Sequence, residues 1–296
     1  MKEVKDQIFT GERAQYFAKD ISYKNVVFED GESVLKHGKN IFLDEVTFNY
    51  KYPLWLTEDA HVKNSVFHEM GRSGLWYTKN TFIEDSVIEA PKEFRRSSGI
   101  VLKNVSFTNA AETMWSCTDI KLEGVKAKGD YFAMNSSRFY AENFFLDGNY
   151  FLDGGKDIEI HNSVLLSKDA FWNCENVTVY DSKISGEYLA WHSKNVKFVN
   201  CTIESDQGLC YIENLVLENC VLKNTPLAFE YSSGIKADIK GKIESVKNPC
   251  SGKIRADEIG TLILNSERCN PDLSEIECSK IGKTYSKDPN PNENEF

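Results

Sequence analysis

Apolar and polar residues alternate along the chain in a short phrase that returns at nearly constant spacing. The phrase is clearest in residues 158–165, where it reads apolar, variable, apolar, variable, Asn or Asp, small or apolar, variable, apolar. It begins at Ile158 and again at Val177, Val196 and Leu215, and successive starts lie 19 residues apart. A fixed period of this size is the sequence signature of a repeat protein.

Further copies start at residues 21, 41, 60, 81, 100, 120 and 139, and a weaker one starts at 235. The alternation is typical of strands rather than helices. The Asn, Asp or Gly at the fifth position tolerates a left-handed backbone bend at little steric cost, and a second such residue closes each unit. The pattern therefore predicts an all-β parallel β-helix of about 11–12 coils of 19–21 residues.

The regular phrase covers only part of the chain, and this divides the sequence into four stretches. Residues 1–20 are predicted to form an N-terminal cap with a short helix over 11–19, because the open end of a strand stack needs covering. The repeats occupy 21–239, and 240–282 are predicted to form the last coil and a C-terminal cap. Residues 283–296 are rich in Asn, Pro and charge and are predicted to be a flexible tail.

A third strand is predicted before the bend that closes each coil, and it carries two adjacent rows with one residue per coil. Neighbouring strand positions face opposite ways, so one row lines the core and the other faces outward. The uniformly apolar row is predicted to be inside: Leu35, Leu54, Leu75, Phe94, Met114, Ala133, Leu152, Phe171, Ala190, Leu209 and Ala228. The row that includes charged residues is predicted to be outside: Lys36, Trp55, Trp76, Arg95, Trp115, Met134, Asp153, Trp172, Trp191, Cys210 and Phe229.

Composition restricts the classes of partner. The net charge of -10 and the pI near 5.2 argue against a nucleic acid or an anionic membrane as partner. No run reaches the roughly 18 apolar residues that a membrane helix needs, and residues 1–7 lack a signal-peptide core, so a cytoplasmic location is predicted. None of the eight cysteines forms a CxxC pair, and neither a metal nor a cofactor is expected.

The Asn-bend phrase, the coil length and the three-strand unit resemble the right-handed, single-stranded parallel β-helix of the pectin-lyase-like superfamily. More narrowly, residues 5–282 resemble an uncharacterised bacterial family of single-domain β-helix proteins. The superfamily implies carbohydrate-active enzymes that bind acidic polysaccharides along one sheet. The catalytic phrases of polygalacturonase-like members do not stand in this sequence, so the resemblance assigns no catalytic residue.

The outer row and its flanking corner form the candidate site. Aromatic rings can pack against the C–H faces of sugars while polar groups fix orientation, and an arginine can hold a uronate. A carboxylate pair such as Asp153 and Glu187 has the chemistry for general acid and base catalysis. The candidate ligand-binding residues are Arg95, Arg96, Trp115, Tyr131, Asn135, Tyr150, Trp172, Asn173, Trp191 and His192.

Two functions remain open at this point. The first is a ligand-binding or interaction scaffold that uses the outer aromatic row to hold an oligosaccharide, a partner or a second copy of the chain. The second is a hydrolase or lyase that acts on an acidic oligosaccharide. The same rings could equally pack beneath corner loops or in a subunit contact, since aromatic patches often mark interfaces. The missing export signal and catalytic phrases favour the scaffold, and the enzyme question stays open.

Overall fold

The computed structural model describes residues 1–289 and divides the chain into two compact units, from Met1 to Glu159 and from Ile160 onward. The first unit contains β1 (Lys2–Phe9), β2 (Lys19–Phe28), β3 (Lys39–Phe48), β4 (Glu58–Lys63), β5 (Val66–Phe67), β6 (Lys79–Glu84), β7 (Val87–Ile88), β8 (Ser98–Lys103), β9 (Ser106–Phe107), β10 (Thr118–Glu123), β11 (Lys126–Lys128), β12 (Ser137–Glu142) and β13 (Phe145–Asp147). Strand β14 (Lys156–His161) spans the boundary. The second unit contains β15 (Val164–Leu166), β16 (Glu175–Tyr180), β17 (Lys183–Glu187), β18 (Lys194–Val199), β19 (Thr202–Asp206), β20 (Glu213–Lys223), β21 (Ile235–Lys247), β22 (Gly252–Ile263) and β23 (Ser274–Tyr285). Helix is confined to two short 3₁₀ turns within residues 1–289, at Glu69–Gly71 and Pro271–Leu273.

Strands pair in parallel with the strand one coil away, and equivalent positions of the phrase face each other. In the first unit Ile21 pairs with Ile41, and in the second Val177 pairs with Val196, which pairs with Leu215. The predicted all-β parallel solenoid is confirmed, with about 15 turns in place of 11–12. The count differs because β1, β22 and β23 each add a turn outside the predicted repeat range of 21–239.

The Asn corner is formed by left-handed residues whose side chains connect neighbouring coils. Asn104 has φ 52° and its amide donates to Asp85 Oδ1 at 3.0 Å. In the second unit Asn219 donates to Asn200 Oδ1 at 2.7 Å, and Asn200 donates to Asp181 Oδ1 at 2.8 Å. Asparagine fits this corner because it tolerates the left-handed region and both donates and accepts within a ladder.

The core lies between the sides of each coil and is built from rows of like residues. Phe28, Phe48 and Phe67 stack along successive coils, with ring centroids 5.3 Å and 4.6 Å apart. Every residue of the predicted inner row is fully buried, so the placement of that row is confirmed. The outer row is half-exposed from Lys36 to Trp191, as predicted, whereas Cys210 and Phe229 are buried and their outward placement is wrong.

The predicted third strand is also wrong in its backbone. This side consists mainly of turns in which every second residue is left-handed, as at Tyr131, Ala133 and Asn135, with φ of 60°, 62° and 54°. Coils still bond to each other here: Tyr131 N–H donates to Asn149 O at 2.8 Å, and Ala133 N–H donates to Thr113 O at 2.8 Å. Side chains at this third side therefore keep a fixed place in each coil without a regular strand.

The two ends of the described chain also differ from expectation. Residues 11–19 form turns and the start of β2 and not the predicted helix, and the cap region includes β1. At the other end β23 includes residues 283–285, which the sequence assigned to the flexible tail. Residues 286–289 of that predicted tail are described and follow β23, and the part from residue 290 onward lies outside the described residues.

Candidate functional site

The third side of the first unit carries five outer-row side chains that stack on one another, one from each of five successive coils. We call Lys36, Trp55, Trp76, Arg95 and Trp115 the aromatic column. The indoles of Trp55 and Trp76 are nearly parallel, with centroids 5.5 Å apart and an interplanar angle of 11°. The Lys36 Nζ atom lies 5.4 Å from the Trp55 ring centroid.

Arg95 occupies the middle of the column, between two indoles. Its guanidinium carbon lies 4.6 Å from the Trp76 ring centroid and 4.5 Å from that of Trp115. Glu112 Oε2 is 3.5 Å from Arg95 Nη2, a charge contact without hydrogen-bond geometry. Within residues 1–289 no acceptor bonds to the buried Nε and Nη2 atoms, so the two ring faces and the Glu112 charge stabilise the cation.

The indole N–H groups of the column donate hydrogen bonds to backbone carbonyls of the next coil. Trp76 Nε1 donates to Lys92 O at 2.7 Å, and Trp115 Nε1 donates to Tyr131 O at 2.7 Å. Trp55 Nε1 donates in the same way to Ser73 O. Each ring is therefore fixed with its edge at the surface and with at least one face against its neighbour in the stack.

The first unit also contains most of the residues that the sequence singled out. Tyr131 meets Trp115 edge-on at 6.3 Å and stacks on Tyr150 at 4.5 Å and 9°. Arg96 is exposed while Arg95 is in the column, so this adjacent pair diverges as a pair of neighbours should. The structure thus brings Arg95, Trp115, Tyr131 and Tyr150 into one continuous series of contacts.

Asp153 and Asn135 are neighbours on adjacent coils of the first unit. Asn135 N–H donates to Asp153 O at 2.7 Å, and the Asp153 side chain is partly buried. Burial raises the pKa of the Asp153 carboxyl above its ordinary value. The carboxylate proposed as its catalytic partner, Glu187, belongs to the second unit and pairs with Lys168 at 2.9 Å. The acid–base pair therefore stays a prediction.

The second unit contains a separate aromatic cluster. Trp172 and Trp191 stack with centroids 5.5 Å apart at 29°, and His192 lies 5.5 Å from Trp172. His192 in turn stacks on Tyr211 at 4.9 Å and 26°. Asn173 N–H donates to Trp191 O at 2.9 Å, so the predicted residues of this unit also lie together.

The sequence analysis left Trp55, Trp76 and Tyr211 out of the candidate site. Trp55 and Trp76 hold the same outer-row position as Trp115, one per coil, and this recurrence was a usable signal. Tyr211 directly follows the outer-row position of its coil and carried no signal of its own. No group of three or more His, Cys, Asp or Glu side chains that could hold a metal ion occurs within residues 1–289. Over the same residues, the structure has no helix long and apolar enough to cross a membrane.

Fold and site together define a parallel β-solenoid with an aromatic outer row. Residues 2–277 match the family described as "Protein of unknown function (DUF3737)", and the chain belongs to that family. No curated protein matches the chain.

Among solved structures, the chain is similar to two trypsin-treated variants of QnrB1, a plasmid-mediated fluoroquinolone resistance protein. These share 14% and 13% identity, cover 75% of this chain and 91% and 92% of theirs, and have TM-scores of 0.24 and 0.21. PfbA, a surface adhesin of Streptococcus pneumoniae, shares 11% identity over 90% of this chain and 69% of its own, with a TM-score of 0.26. Scores of this size support no conclusion about function.

Proposed function

We propose that this protein is a non-catalytic interaction scaffold that binds a macromolecular partner through the aromatic column of its first unit. The observation that supports it is the continuous series of three indoles and two cations on five successive coils, each half-exposed. Trp, Tyr and Arg are the residues most enriched among those that dominate binding energy at protein interfaces. Their immobilisation before binding lowers the entropy that association costs.

The orientation of the rings favours a partner with an extended surface over a single sugar. A sugar packs its C–H face on an open aromatic face, but Trp55 and Trp76 cover each other and Arg95 covers the next two faces. The column leaves uncovered the ring edges, one face of Trp115, the charge of Lys36, and two flanking tyrosines, Tyr77 and Tyr131, each 37% exposed. A broad surface can contact edges, a cation and tyrosine rings together, whereas one sugar ring cannot.

The test compares variants of exposed aromatic residues that lie on different sides of the coil. Tyr77→Ala with Tyr131→Ala removes rings beside the column, and Phe145→Ala removes a ring of similar exposure, 38%, from β13 on another side. Partners cross-linked to the wild type are identified by mass spectrometry, purified, and their Kd measured against each variant. We expect the tyrosine variant to bind at least about tenfold more weakly, the loss of about 1.4 kcal/mol typical of an important contact, and Phe145→Ala to bind like the wild type. Equal binding by all three proteins would contradict the proposal.

A glycan array with the wild type and Trp115→Ala examines the sugar alternative directly. The scaffold proposal expects no glycan whose binding depends on Trp115, because it assigns the uncovered face of that ring to a protein partner. A glycan bound by the wild type and lost in Trp115→Ala would replace the scaffold proposal with a carbohydrate-binding function.

Asp153 supports a second candidate, the hydrolase or lyase acting on an acidic oligosaccharide. A carboxyl whose pKa is raised by burial keeps its proton to higher pH and is suited to act as a general acid. Reducing-end release from a panel of uronate-containing oligosaccharides measures this activity, with Asp153→Asn as the inactivated control. Activity that survives in Asp153→Asn removes this residue from the catalytic role.

A further inference from the structure

A lysine in the last coils of the second unit is almost completely buried on the third side. Val246 forms a parallel β-bridge with Ala228 on the preceding coil. The next residue, Lys247, therefore holds the outer-row position that Phe229 holds one coil earlier. The Lys247 side chain is 3% exposed, and its Nζ lies 3.1 Å from Glu230 Oε1 and 2.8 Å from Asp288 Oδ2. A buried ammonium is tolerated only when opposite charges pair with it.

The carboxylates of Glu230 and Asp288, which both pair with Lys247, belong to different kinds of segment. Glu230 is part of a coil: its side chain is 6% exposed, and its backbone carbonyl accepts from Tyr211 N–H at 2.8 Å. Asp288 follows the end of β23 at Tyr285 and lies in the short segment Ser286–Pro289, with its side chain 23% exposed. The C-terminal segment thus returns to the third side and places a carboxylate on Lys247.

A second ion pair of this segment contributes little to holding it in place. Lys287 Nζ lies 3.8 Å from Glu267 Oε1, and both side chains are more than 70% exposed, at 79% and 72%. Pairs of this kind contribute close to nothing in water. Asp288, whose partner is buried, therefore provides the stronger of these two electrostatic contacts.

We propose that Lys247 anchors a carboxylate-binding site, which Ser286–Pro289 fills in cis and from which an acidic extended peptide of a partner displaces it. The occupant already has this chemistry, since it is a peptide segment that ends a strand and presents an aspartate. Glu230 stays on the coil when the segment leaves, so its charge remains beside the ammonium, and the donor that pairs with Asp288 can then pair with a new carboxylate. The site is independent of the aromatic column.

The neighbouring side chains form an aromatic wall that suits a peptide. Tyr231 N–H donates to Asn248 O at 3.1 Å, which places Tyr231 beside the residue that follows Lys247. Its ring lies 5.4 Å from that of Tyr211, at 44°. Aromatic rings next to a buried cation supply both the apolar area and the charge that an acidic peptide needs.

The test uses the full-length chain and a fluorescent peptide with the sequence of residues 284–296. In Asp288→Ala the cis carboxylate is gone, so the labelled peptide should bind at least tenfold more tightly than to the wild type, whose own segment competes at an effective concentration of about millimolar. The same peptide with Asn in place of its aspartate should bind Asp288→Ala at least tenfold more weakly. Fluorescence anisotropy measures each Kd.

Lys287→Ala is the matched control, because it removes only the exposed pair and should bind the peptide as weakly as the wild type does. Equal affinity of Asp288→Ala and the wild type would overturn the proposal, as would binding that ignores the aspartate of the peptide. Should Asp288→Ala melt well below the wild type, Asp288→Asn, which keeps the side-chain size and loses the charge, replaces it in the same titration. Asp288→Ala should change peptide binding at Lys247 and leave partner binding at the aromatic column unchanged, so the two proposals can fail separately.

Discussion

The carboxyl of Glu93 should make the protein less stable as pH rises, and Glu93→Gln should remove that dependence. Glu93 is fully buried, its Oε2 accepts from Gly74 N–H at 2.8 Å, and its Oε1 has no hydrogen-bond partner within the described chain. Burial raises the pKa of this carboxyl well above its ordinary value of 4.5, although backbone hydrogen bonds from Gly74 and Leu75 act in the opposite direction.

The sign and size of this pH dependence of stability follow from proton linkage. Because the folded pKa is raised, the native chain keeps a proton that the unfolded chain loses above pH 4.5. The contribution of Glu93 is therefore fully present below pH 4.5 and is lost as pH rises to its folded pKa. Within that window the free energy of unfolding falls by about 1.4 kcal/mol per pH unit. The Gln side chain has nearly the same shape and no charge to bury.

Thermal melts of both proteins between about pH 5 and pH 7 measure the effect. The melting temperature of Glu93→Gln minus that of the wild type should increase with pH, by about 2–4 °C for each kcal/mol. Glu69→Gln, which makes the same charge change at an exposed residue, should track the wild type at every pH. A difference between Glu93→Gln and the wild type that stays constant with pH would refute the reasoning.

Three further substitutions test the connections between coils by chemical denaturation. Trp76→Ala should lower the free energy of unfolding by about 2–4 kcal/mol, because it removes a stacked ring and an Arg95 contact. Trp76→Phe should lower it by about 1 kcal/mol, and equal losses in the two variants would contradict a stacking role. Ser182→Ala should lower the free energy of unfolding by about 1–3 kcal/mol, because it removes the hydrogen bond that the Ser182 hydroxyl accepts from the buried Ser163 N–H. Ser182→Cys should cost less, because cysteines occupy the equivalent row position on the next two coils. Asn200→Gly keeps the left-handed corner but removes the amide ladder, so it should cost less than Asn200→Ala, which loses both.

The repeating sides of the coil could be predicted from the sequence because their causes are local and repeated. An asparagine at the corner, such as Asn104, needs only a left-handed bend and a like neighbour one period away. The terminal turns were missed because they break the apolar phrase: Lys2 and Gln7 stand in β1 where Ile21 and Val26 stand one coil later. Polar residues on an edge strand are a common protection against unwanted pairing, so the feature that protects an end also hides it from a repeat search.

The arrangement of the candidate site could be predicted only in part. Alternation placed Trp55, Trp76 and Arg95 on the outer row, and this is where they lie. Whether their faces are open or stacked depends on side-chain rotamers and on the residue one coil away, which a pattern of apolar positions does not contain. The burial of Glu93 had a weak signal, because Gly74 occupies the equivalent position one coil earlier and leaves the space into which Glu93 Oε2 fits.

The positions that break a row locate the protein's chemistry better than the rows themselves. Each coil of a solenoid packs against neighbouring coils of similar sequence. A buried charge in a row is therefore not needed for this packing, and its desolvation costs free energy. Lys247 takes the row position that Phe229 fills with a buried apolar ring one coil earlier, and its charge is matched by Glu230 on a coil and by Asp288 from the segment after β23. Arg95 likewise takes the place of an indole between Trp76 and Trp115. A charged residue at either position is explained more directly by a group that binds there than by the stability of the row. Both proposals therefore place binding on the third side.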